Sequence, residues 1–356
     1  MIRGNGALLL AGTSKGLFVF RSNSRRMKWK MTGPYFPGAA VYHTIFDRNS
    51  GNVFASVKKN QFGCLVAISR DAGDTWNYSP SPPSFPRKYG LSVENIWQLH
   101  ASSDGTIYAG VQPACLFKSE DQGISWKVNA ALARHETRSK WQPGFGGLCF
   151  HTVITHKDPW KMHVAISAVG TLFTCDGGRS WEFRNKGVRA DFLTEKYPVF
   201  GQCVHKIAVT EDGTLFQQNH CGVYRSDDEG EQWSDISSGP PSDFGFPVAT
   251  ARVGREDIVY VAPLRGGDCR PPPGDQFSVW KSHDRGGTWD RIADGLPRIS
   301  YYNVLRDGMK TDNMDRSFIY FGTTTGQIYA SECGEELWFK VADGLPPILS
   351  VEACEY

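Results

Sequence analysis

The eight residues Ser119-Glu-Asp121-Gln-Gly123-Ile-Ser-Trp126 form a motif that returns along the whole chain. Four more intact copies, with the same spacing of Ser or Thr, Asp, Gly and Trp, occupy residues 69–76, 174–181, 226–233 and 282–289. Two degraded copies occupy residues 22–29 and 331–338. The copies start 47 to 56 residues apart, and seven of the eleven Trp residues stand in the last position of a copy. This regularity indicates a repeat architecture.

The motif has the chemistry of a hairpin corner. A strand ends at the Ser, the Asp carboxylate accepts hydrogen bonds from the backbone of the following turn, and the Gly provides a positive φ. The Trp then begins the next strand and folds back over the corner. The motif carboxylates are therefore predicted to be structural rather than catalytic: Asp71, Asp121, Asp176, Asp228 and Asp284.

Short apolar segments flank each motif and predict four strands in every unit of about 50 residues. One pair precedes the motif at Ile107–Gly110 and 116–118, and a further apolar strand precedes most pairs. The expected first strands of units two to seven are 41–46, 96–100, 150–155, 204–209, 248–253 and 303–306. Four-stranded repeats of this length are typical of β-propeller blades.

The first unit lacks an initial strand, and the chain ends with an apolar strand at 348–354 that has no unit of its own. We therefore predict an all-β, seven-bladed β-propeller of four-stranded antiparallel blades, in which residues 348–354 complete the first blade. Residues 1–356 are expected to form a single domain.

The composition excludes several functional classes. Lys and Arg number 39 and Asp and Glu 37, which gives a net charge of +2 and argues against a nucleic-acid partner. No apolar run approaches the length of a membrane span, and no export signal is evident, so we expect no membrane association and a cytoplasmic location. The nine Cys are irregularly spaced without a Cys-x-x-Cys pair, which disfavours a disulfide framework and a zinc knuckle.

The Ser-x-Asp-x-Gly-x-x-Trp motif resembles the Asp-box, or BNR repeat. This repeat occurs in sialidases, sortilin-type receptors, xyloglucanases and a photosystem II assembly factor. The chain is most similar to bacterial single-propeller proteins that carry a sialidase-like or glycosyl hydrolase label. The stretches that carry this closer resemblance include Val41-Tyr-His43, Ser92-Val-Glu94, Gln202-Cys-Val-His205, Gln217-Gln-Asn-His-Cys-Gly222 and Ser242-Asp-Phe-Gly-Phe246.

The resemblance does not extend to the catalytic residues of sialidases. Those enzymes hold the substrate carboxylate with three Arg, one of them in an Arg-Ile-Pro motif of the first blade, and the first unit here has no such motif. We therefore do not expect a standard sialidase.

A functional site is predicted at the upper face of the ring, where the inner strands begin. The loops expected on that face are long, and binding residues usually lie on such loops. Alignment of the inner strands by their apolar positions predicts that one channel-facing slot contains His43, Trp97, His151, His205, Ala249 and Asn303. Three imidazoles from different blades are the predicted ligands of a divalent transition metal: His43, His151 and His205. A metal-free functional cluster and simple structural histidines are the alternatives.

Other candidates lie nearby on the same face. His220, Glu94 and Asp243 are the predicted proton-transfer groups, because imidazole and carboxylate side chains act as general acids and bases. The predicted substrate-binding residues are Trp97, Trp141, Gln202, Asn219 and Asn303. The expected function is an enzyme of hydrolase or lyase type, with or without a metal, whose ligand is a small polar, carbohydrate-like molecule. The alternative is a non-catalytic binding or assembly scaffold, and the oligomeric state stays open.

Overall fold

The computed structural model describes residues 6–267, 269–312, 314–335 and 337–356. These residues form seven four-stranded antiparallel sheets, which are the seven blades of a β-propeller. The C-terminal strand pairs with the N-terminal strand, from Ala7 opposite Glu355 to Thr13 opposite Ile348, and so closes the ring. The predicted fold class is confirmed, including the completion of the first blade by the end of the chain.

The strands follow the chain order. The first blade contains β1 (Gly6–Thr13), β2 (Gly16–Asn23), β3 (Lys30–Tyr35) and the last strand, β28 (Ile348–Glu355). The second contains β4 (Ala40–Phe46), β5 (Val53–Lys59), β6 (Gly63–Ser69) and β7 (Asn77–Tyr78). The third contains β8 (Asn95–Ala101), β9 (Ile107–Gln112), β10 (Cys115–Ser119) and β11 (Lys127–Val128). The fourth contains β12 (Phe150–Thr155), β13 (Met162–Ile166), β14 (Gly170–Thr174) and β15 (Glu182–Phe183).

The remaining blades are built in the same way. The fifth contains β16 (Val204–Val209), β17 (Leu215–Asn219), β18 (Gly222–Ser226) and β19 (Ser234–Asp235). The sixth contains β20 (Gly245–Val253), β21 (Glu256–Pro263), β22 (Val279–Ser282) and β23 (Asp290–Ile292). The seventh contains β24 (Met309–Thr311), β25 (Phe318–Gly322), β26 (Ile328–Glu332) and β27 (Phe339–Ala342).

Helical structure among the described residues is confined to the loops. It consists of α1 (Ala130–Ala133) and three single 3₁₀ turns at Arg87–Tyr89, Arg138–Lys140 and Pro273–Asp275. In the described ranges no helix is both long enough and apolar enough to cross a lipid bilayer.

The repeated motif forms the expected corner. In the third blade the Asp121 carboxylate accepts hydrogen bonds from Ser119 Oγ at 2.7 Å and from the backbone N–H of Ser125 at 2.9 Å. Ser119 Oγ in turn accepts the N–H of Gly123, whose φ of +84° lies in the left-handed region. The same contacts recur around Asp71, Asp176, Asp228 and Asp284. The motif therefore fixes each blade at the face of the ring opposite the long loops.

The hydrophobic core lies between neighbouring blades. A Cβ at Gly110 of β9 would lie 2.4 Å from the Phe150 ring, and a Cβ at Gly322 of β25 would lie 2.5 Å from Ile348. Phe150 and Ile348 are the first residues of the inner strands of the next blades. Glycine on the second strand thus lets the adjacent inner strand approach closely, which fixes where that strand begins.

The seventh blade departs from the sequence prediction. Residues 303–306 were expected to form its inner strand, but this segment is irregular and the strand is β24 at Met309–Thr311. Asn303 is therefore not equivalent to the first residues of the other inner strands, and its expected place in the channel-facing slot is wrong. The irregular segment instead carries Leu305, Arg306 and Asp307 to the mouth of the channel.

Candidate active site at the mouth of the channel

Six of the seven inner strands contain a β-bulge close to the upper face. The pairing register shifts between Val41 and His43, and equivalent shifts occur in β8, β12, β16, β20 and opposite β28. A bulge leaves one residue unpaired and redirects its side chain, and bulges are common next to active sites. The bulged positions include Leu349, Tyr42, Trp97, His151, His205 and Phe246.

These bulged side chains form a ring around a cavity of about 350 Å³, which we call the mouth pocket. The seventh blade contributes Arg306 to this ring. The other residues that line the cavity include Phe145, Ser167, Cys203, His220 and Arg270. Contacts run around the ring: the ring centroids are 4.9 Å apart for Tyr42 and Trp97, and 6.5 Å apart for Trp97 and His151. The pocket is thus built by one repeated backbone irregularity, with a different side chain in each blade.

The residues that follow the bulges line the channel below the mouth pocket, a cavity of about 1180 Å³. His43, Gln98, Thr152 and Lys206 occupy this second level. Asp307 accepts hydrogen bonds there from Lys206 Nζ and lies 3.2 Å from His43 Nε2. Burial raises the pKa of Asp307, but Lys206 and His43 outweigh that effect and hold the pKa far below its usual range. The charge of Asp307 is therefore already balanced.

The structure corrects the alignment of His43. Its backbone pairs with Ser56, so Tyr42 and not His43 is the equivalent of Trp97, His151 and His205. His43 faces the channel, where its Nδ1 accepts the N–H of Leu99 at 3.2 Å and its Nε2 lies 3.3 Å from Gln98 Nε2. His43, His151 and His205 are thus not brought together as the expected ligand set.

Two histidines of the mouth pocket have a fixed tautomer. His151 Nδ1 lies 2.8 Å from the Val204 carbonyl, and His205 Nδ1 lies 2.6 Å from the Gly245 carbonyl. A carbonyl only accepts, so Nδ1 carries the proton in both rings and Nε2 keeps its lone pair. Burial lowers the pKa of His151 well below its usual value and that of His205 to about 3, so both rings are neutral.

His220 completes a row of three imidazoles. Its ring centroid lies 5.8 Å from that of His205, which in turn lies 6.5 Å from that of His151. Its ring packs against the edges of Phe192 and Phe244, and among the described residues it makes no hydrogen bond. Burial, and then the positive charge of Arg270, lower its pKa. The predicted position of His220 beside His205 agrees with this arrangement.

One group of potential metal ligands forms within the described part of the chain. The ligand atoms of Cys203, His205 and His220 all lie within 4.8 Å of one another. Thiolate and imidazole ligands suit zinc and other transition metals, and the bond from His205 Nδ1 to a backbone carbonyl is typical of a metal-ligating histidine. Metal binding itself stays a prediction. Of the three expected ligands, only His205 belongs to this group, which also contains Cys203 and His220.

The two carboxylate candidates lie outside the mouth pocket. Glu94 is exposed at the start of β8 and accepts a hydrogen bond from Gln112 Nε2 at 2.7 Å. Asp243 lies 3.3 Å from Arg189 Nη2, in an ion-pair cluster on the neighbouring loops. Neither lines the cavity, so the geometry does not support them as proton-transfer groups in it.

The substrate-binding candidates divide in the same way. Trp97 lines the pocket and donates from Nε1 to Gln112 Oε1 at 2.9 Å. Trp141 is instead buried in the core between the third and fourth blades, where its Nε1 bonds Thr137. Gln202 is fully buried and bonds the Pro198 carbonyl, and Asn219 is fully buried at the end of β17. Trp141, Gln202 and Asn219 do not line the pocket, and their buried side chains pack in the protein around it.

Sequence reasoning missed Tyr42, Cys203, Arg270 and Arg306. A signal for Tyr42 was present, because Val41-Tyr42, Ile96-Trp97, Phe150-His151 and Val204-His205 all place a ring directly after a buried apolar residue. The two arginines carried no such signal, since they come from irregular segments outside the repeat.

Comparison with known proteins shows the fold. No protein-family model and no curated protein matches the sequence. Among solved structures, the chain is similar to a GH74 xyloglucanase from Xanthomonas campestris, with a TM-score of 0.57 and 14% identity over 99% of this chain; it spans 55% of the xyloglucanase chain. It is similar to YCF48 from Cyanidioschyzon merolae, with a TM-score of 0.57 and 13% identity over 85% of each chain. It is also similar to a proposed 6-phosphogluconolactonase from Bacteroides uniformis, with a TM-score of 0.58 and 10% identity over 98% of this chain and 99% of that one. Identities this low support the propeller fold alone.

Proposed function

We propose that the mouth pocket is the active site of a hydrolase or lyase that acts on a small polar, carbohydrate-like molecule. The observation that carries this proposal is the continuous row of His151, His205 and His220 along one wall of the pocket. A neutral imidazole with a free lone pair accepts a proton or a hydrogen bond from a substrate or an attacking water. His151 and His205 bind carbonyls of the next blade through Nδ1, which leaves Nε2 of each ring for a ligand.

The three histidines differ in what they can do. His205 is too weak a base for efficient proton transfer near neutral pH, because its pKa is about 3. His220 is half-buried, and its imidazole makes no hydrogen bond with any described residue. His220 is therefore the proposed general base, while His151 and His205 accept hydrogen bonds from substrate hydroxyls. If a metal is bound, Cys203, His205 and His220 are its ligands instead.

The test is a turnover screen with the native chain and matched variants. Chromogenic glycosides, lactones and uronate-containing oligosaccharides cover hydrolysis and β-elimination. We expect His220→Gln to lower turnover at least 100-fold with an unchanged melting temperature. The control His283→Gln changes a partly exposed ring on a repeat motif far from the pocket and should leave turnover unchanged. Native activity that survives in His220→Gln would contradict the assigned role.

A second candidate is a binding scaffold, and exposed apolar side chains at the mouth pocket and on the loop before β16 favour it. Phe145 is 99% exposed, Val199 73%, Tyr197 54% and Phe192 48%. Exposed apolar groups of this kind mark interaction surfaces. One similar solved structure is YCF48 bound to a D1 peptide. If the screen finds no turnover, and Phe145→Ser together with Val199→Ser abolishes capture of an apolar peptide, the scaffold is the better description.

A further inference from the structure

The mouth pocket contains two positive charges that no described carboxylate balances. Arg306 makes no ion pair and no hydrogen bond with any described residue, and Arg270 only donates from Nε to the Gly267 carbonyl at 3.3 Å. The nearby carboxylate, Asp307, is already bound by Lys206 and His43. The pocket therefore has an excess of positive charge at its wall.

Aromatic rings hold both guanidinium groups in place. The central carbon of Arg306 lies 5.3 Å from the Trp97 ring centroid and 5.8 Å from that of Phe246. The central carbon of Arg270 lies 5.0 Å from the Phe246 centroid and 5.4 Å from that of Phe244. Such contacts use the flat face of a guanidinium and leave its N–H groups at the edge to bind an oxyanion.

A desolvated cation without a counterion is unfavourable, and burial lowers the pKa of Arg306. A carboxylate or phosphate matches the fork of N–H donors of an arginine and removes this cost. Both guanidinium groups lie within 6 Å of the Phe246 centroid and line the same cavity, so one bound anion can contact both.

From this geometry we infer that the mouth pocket binds a small molecule that carries an oxyanion, a carboxylate or a phosphate, with Arg306 and Arg270 as its charged contacts. The volume of about 350 Å³ is at the lower end of small-molecule sites and suits a ligand of monosaccharide size. The oxyanion lies at the arginine side, and hydroxyl groups donate to the free Nε2 atoms of His151 and His205. This inference deepens the proposed function by naming the class of substrate, and it requires only binding.

Isothermal titration calorimetry with three probes of equal ring size tests the inference: glucose, glucuronate and glucose 6-phosphate. We expect one or both anions to bind at least tenfold more tightly than glucose, and their relative affinity separates a carboxylate site from a phosphate site. Arg306→Gln and Arg270→Gln should each weaken anion binding about tenfold or more, since a hydrogen bond to a charged group is lost. The matched control is Arg265→Gln, an exposed arginine of the same loop that does not line the pocket.

Two results would overturn the inference. One is that neither anion binds more tightly than glucose. The other is that anion affinity is unchanged in Arg270→Gln, a variant of a half-exposed residue whose folding is not in question. The fate of the proposed function is read separately, because calorimetry measures binding alone and the turnover screen measures chemistry. Tight anion binding without any turnover would leave the oxyanion site standing and remove the enzyme.

Discussion

Arg306 of the seventh blade lies with its guanidinium carbon 5.3 Å from the ring centroid of Trp97, which belongs to the third blade. These blades are on opposite sides of the ring, so one side chain spans the mouth of the channel. Arg306 lines the mouth pocket, and the next residue, Asp307, lines both that pocket and the channel, where it binds Lys206 and His43. The contact therefore joins the irregular segment of the seventh blade to the wall that the third blade contributes to the candidate site.

The first prediction concerns the energy of this contact. A desolvated cation–π pair contributes about 1 to 2 kcal/mol. In a double-mutant cycle with Trp97→Leu and Arg306→Gln, we expect a coupling free energy of about 1 kcal/mol, measured by urea unfolding. The hydrogen bond from Trp97 to Gln112 is lost in both arms of the cycle and cancels. Strict additivity of the two changes would show that the contact does not stabilise the fold.

The repeat motif should affect stability and not the site. Asp121→Ala removes the acceptor of three donors of the corner, which are Ser119 Oγ, the Ser125 N–H and Ser125 Oγ. We expect a loss of about 1 to 2 kcal/mol in the free energy of unfolding, as for a lost helix cap. Ligand affinity and any turnover should be unchanged, because no motif carboxylate lines the mouth pocket. Glu120→Ala is the control: it changes the adjacent exposed residue, whose surface ion pairs contribute little. An Asp121 variant of native stability would contradict the structural role.

Stability should fall as the pH decreases from 7.5 to 5. Burial lowers the pKa of His100, His163 and His205 to about 3 each. The unfolded chain, where a histidine has a pKa near 6.5, binds more protons below that pH, so the stability present above pH 6.5 is lost on acidification. The urea midpoint at several pH values measures the slope. In His163→Gln the slope should be smaller by up to about 1.4 kcal/mol per pH unit. An unchanged slope would argue that His163 is protonated in the folded protein.

Metal binding is predicted at Cys203, His205 and His220. Cobalt(II) bound there should show thiolate-to-metal charge-transfer absorption, because Cys203 supplies a sulfur ligand. We expect Cys203→Ser to abolish this absorption and His43→Gln to retain it, since His43 faces the channel and pairs with Asp307. Absence of the band in the native chain, or its loss in His43→Gln, would rule out this ligand set.

The repeat explains why most of the fold could be predicted and the site only partly. The motif around Asp121 and Trp126 is local, and its hydrogen bonds connect residues at most a few positions apart, so it marks every blade without knowledge of the rest. The predicted position of the inner strand in the seventh blade was wrong because β24 is only three residues long. The irregular segment before it contains apolar residues like those of a short strand. His205 and His220 could be placed together because a tight turn after β17 brings the chain back to the start of the same blade.

The sequence by itself determined the number of blades, the four strands in each and the closure of the ring by the last strand, because these follow from a periodic pattern of apolar residues and turn residues. Only the tertiary structure decided which side chains meet at the mouth of the channel. A bulge of one residue places Tyr42, and not His43, at the mouth pocket. An irregular segment brings Arg306 to the Trp97 ring of a distant blade. Both depend on how seven blades converge on one axis, and that convergence is a long-range property which no local stretch of the chain encodes.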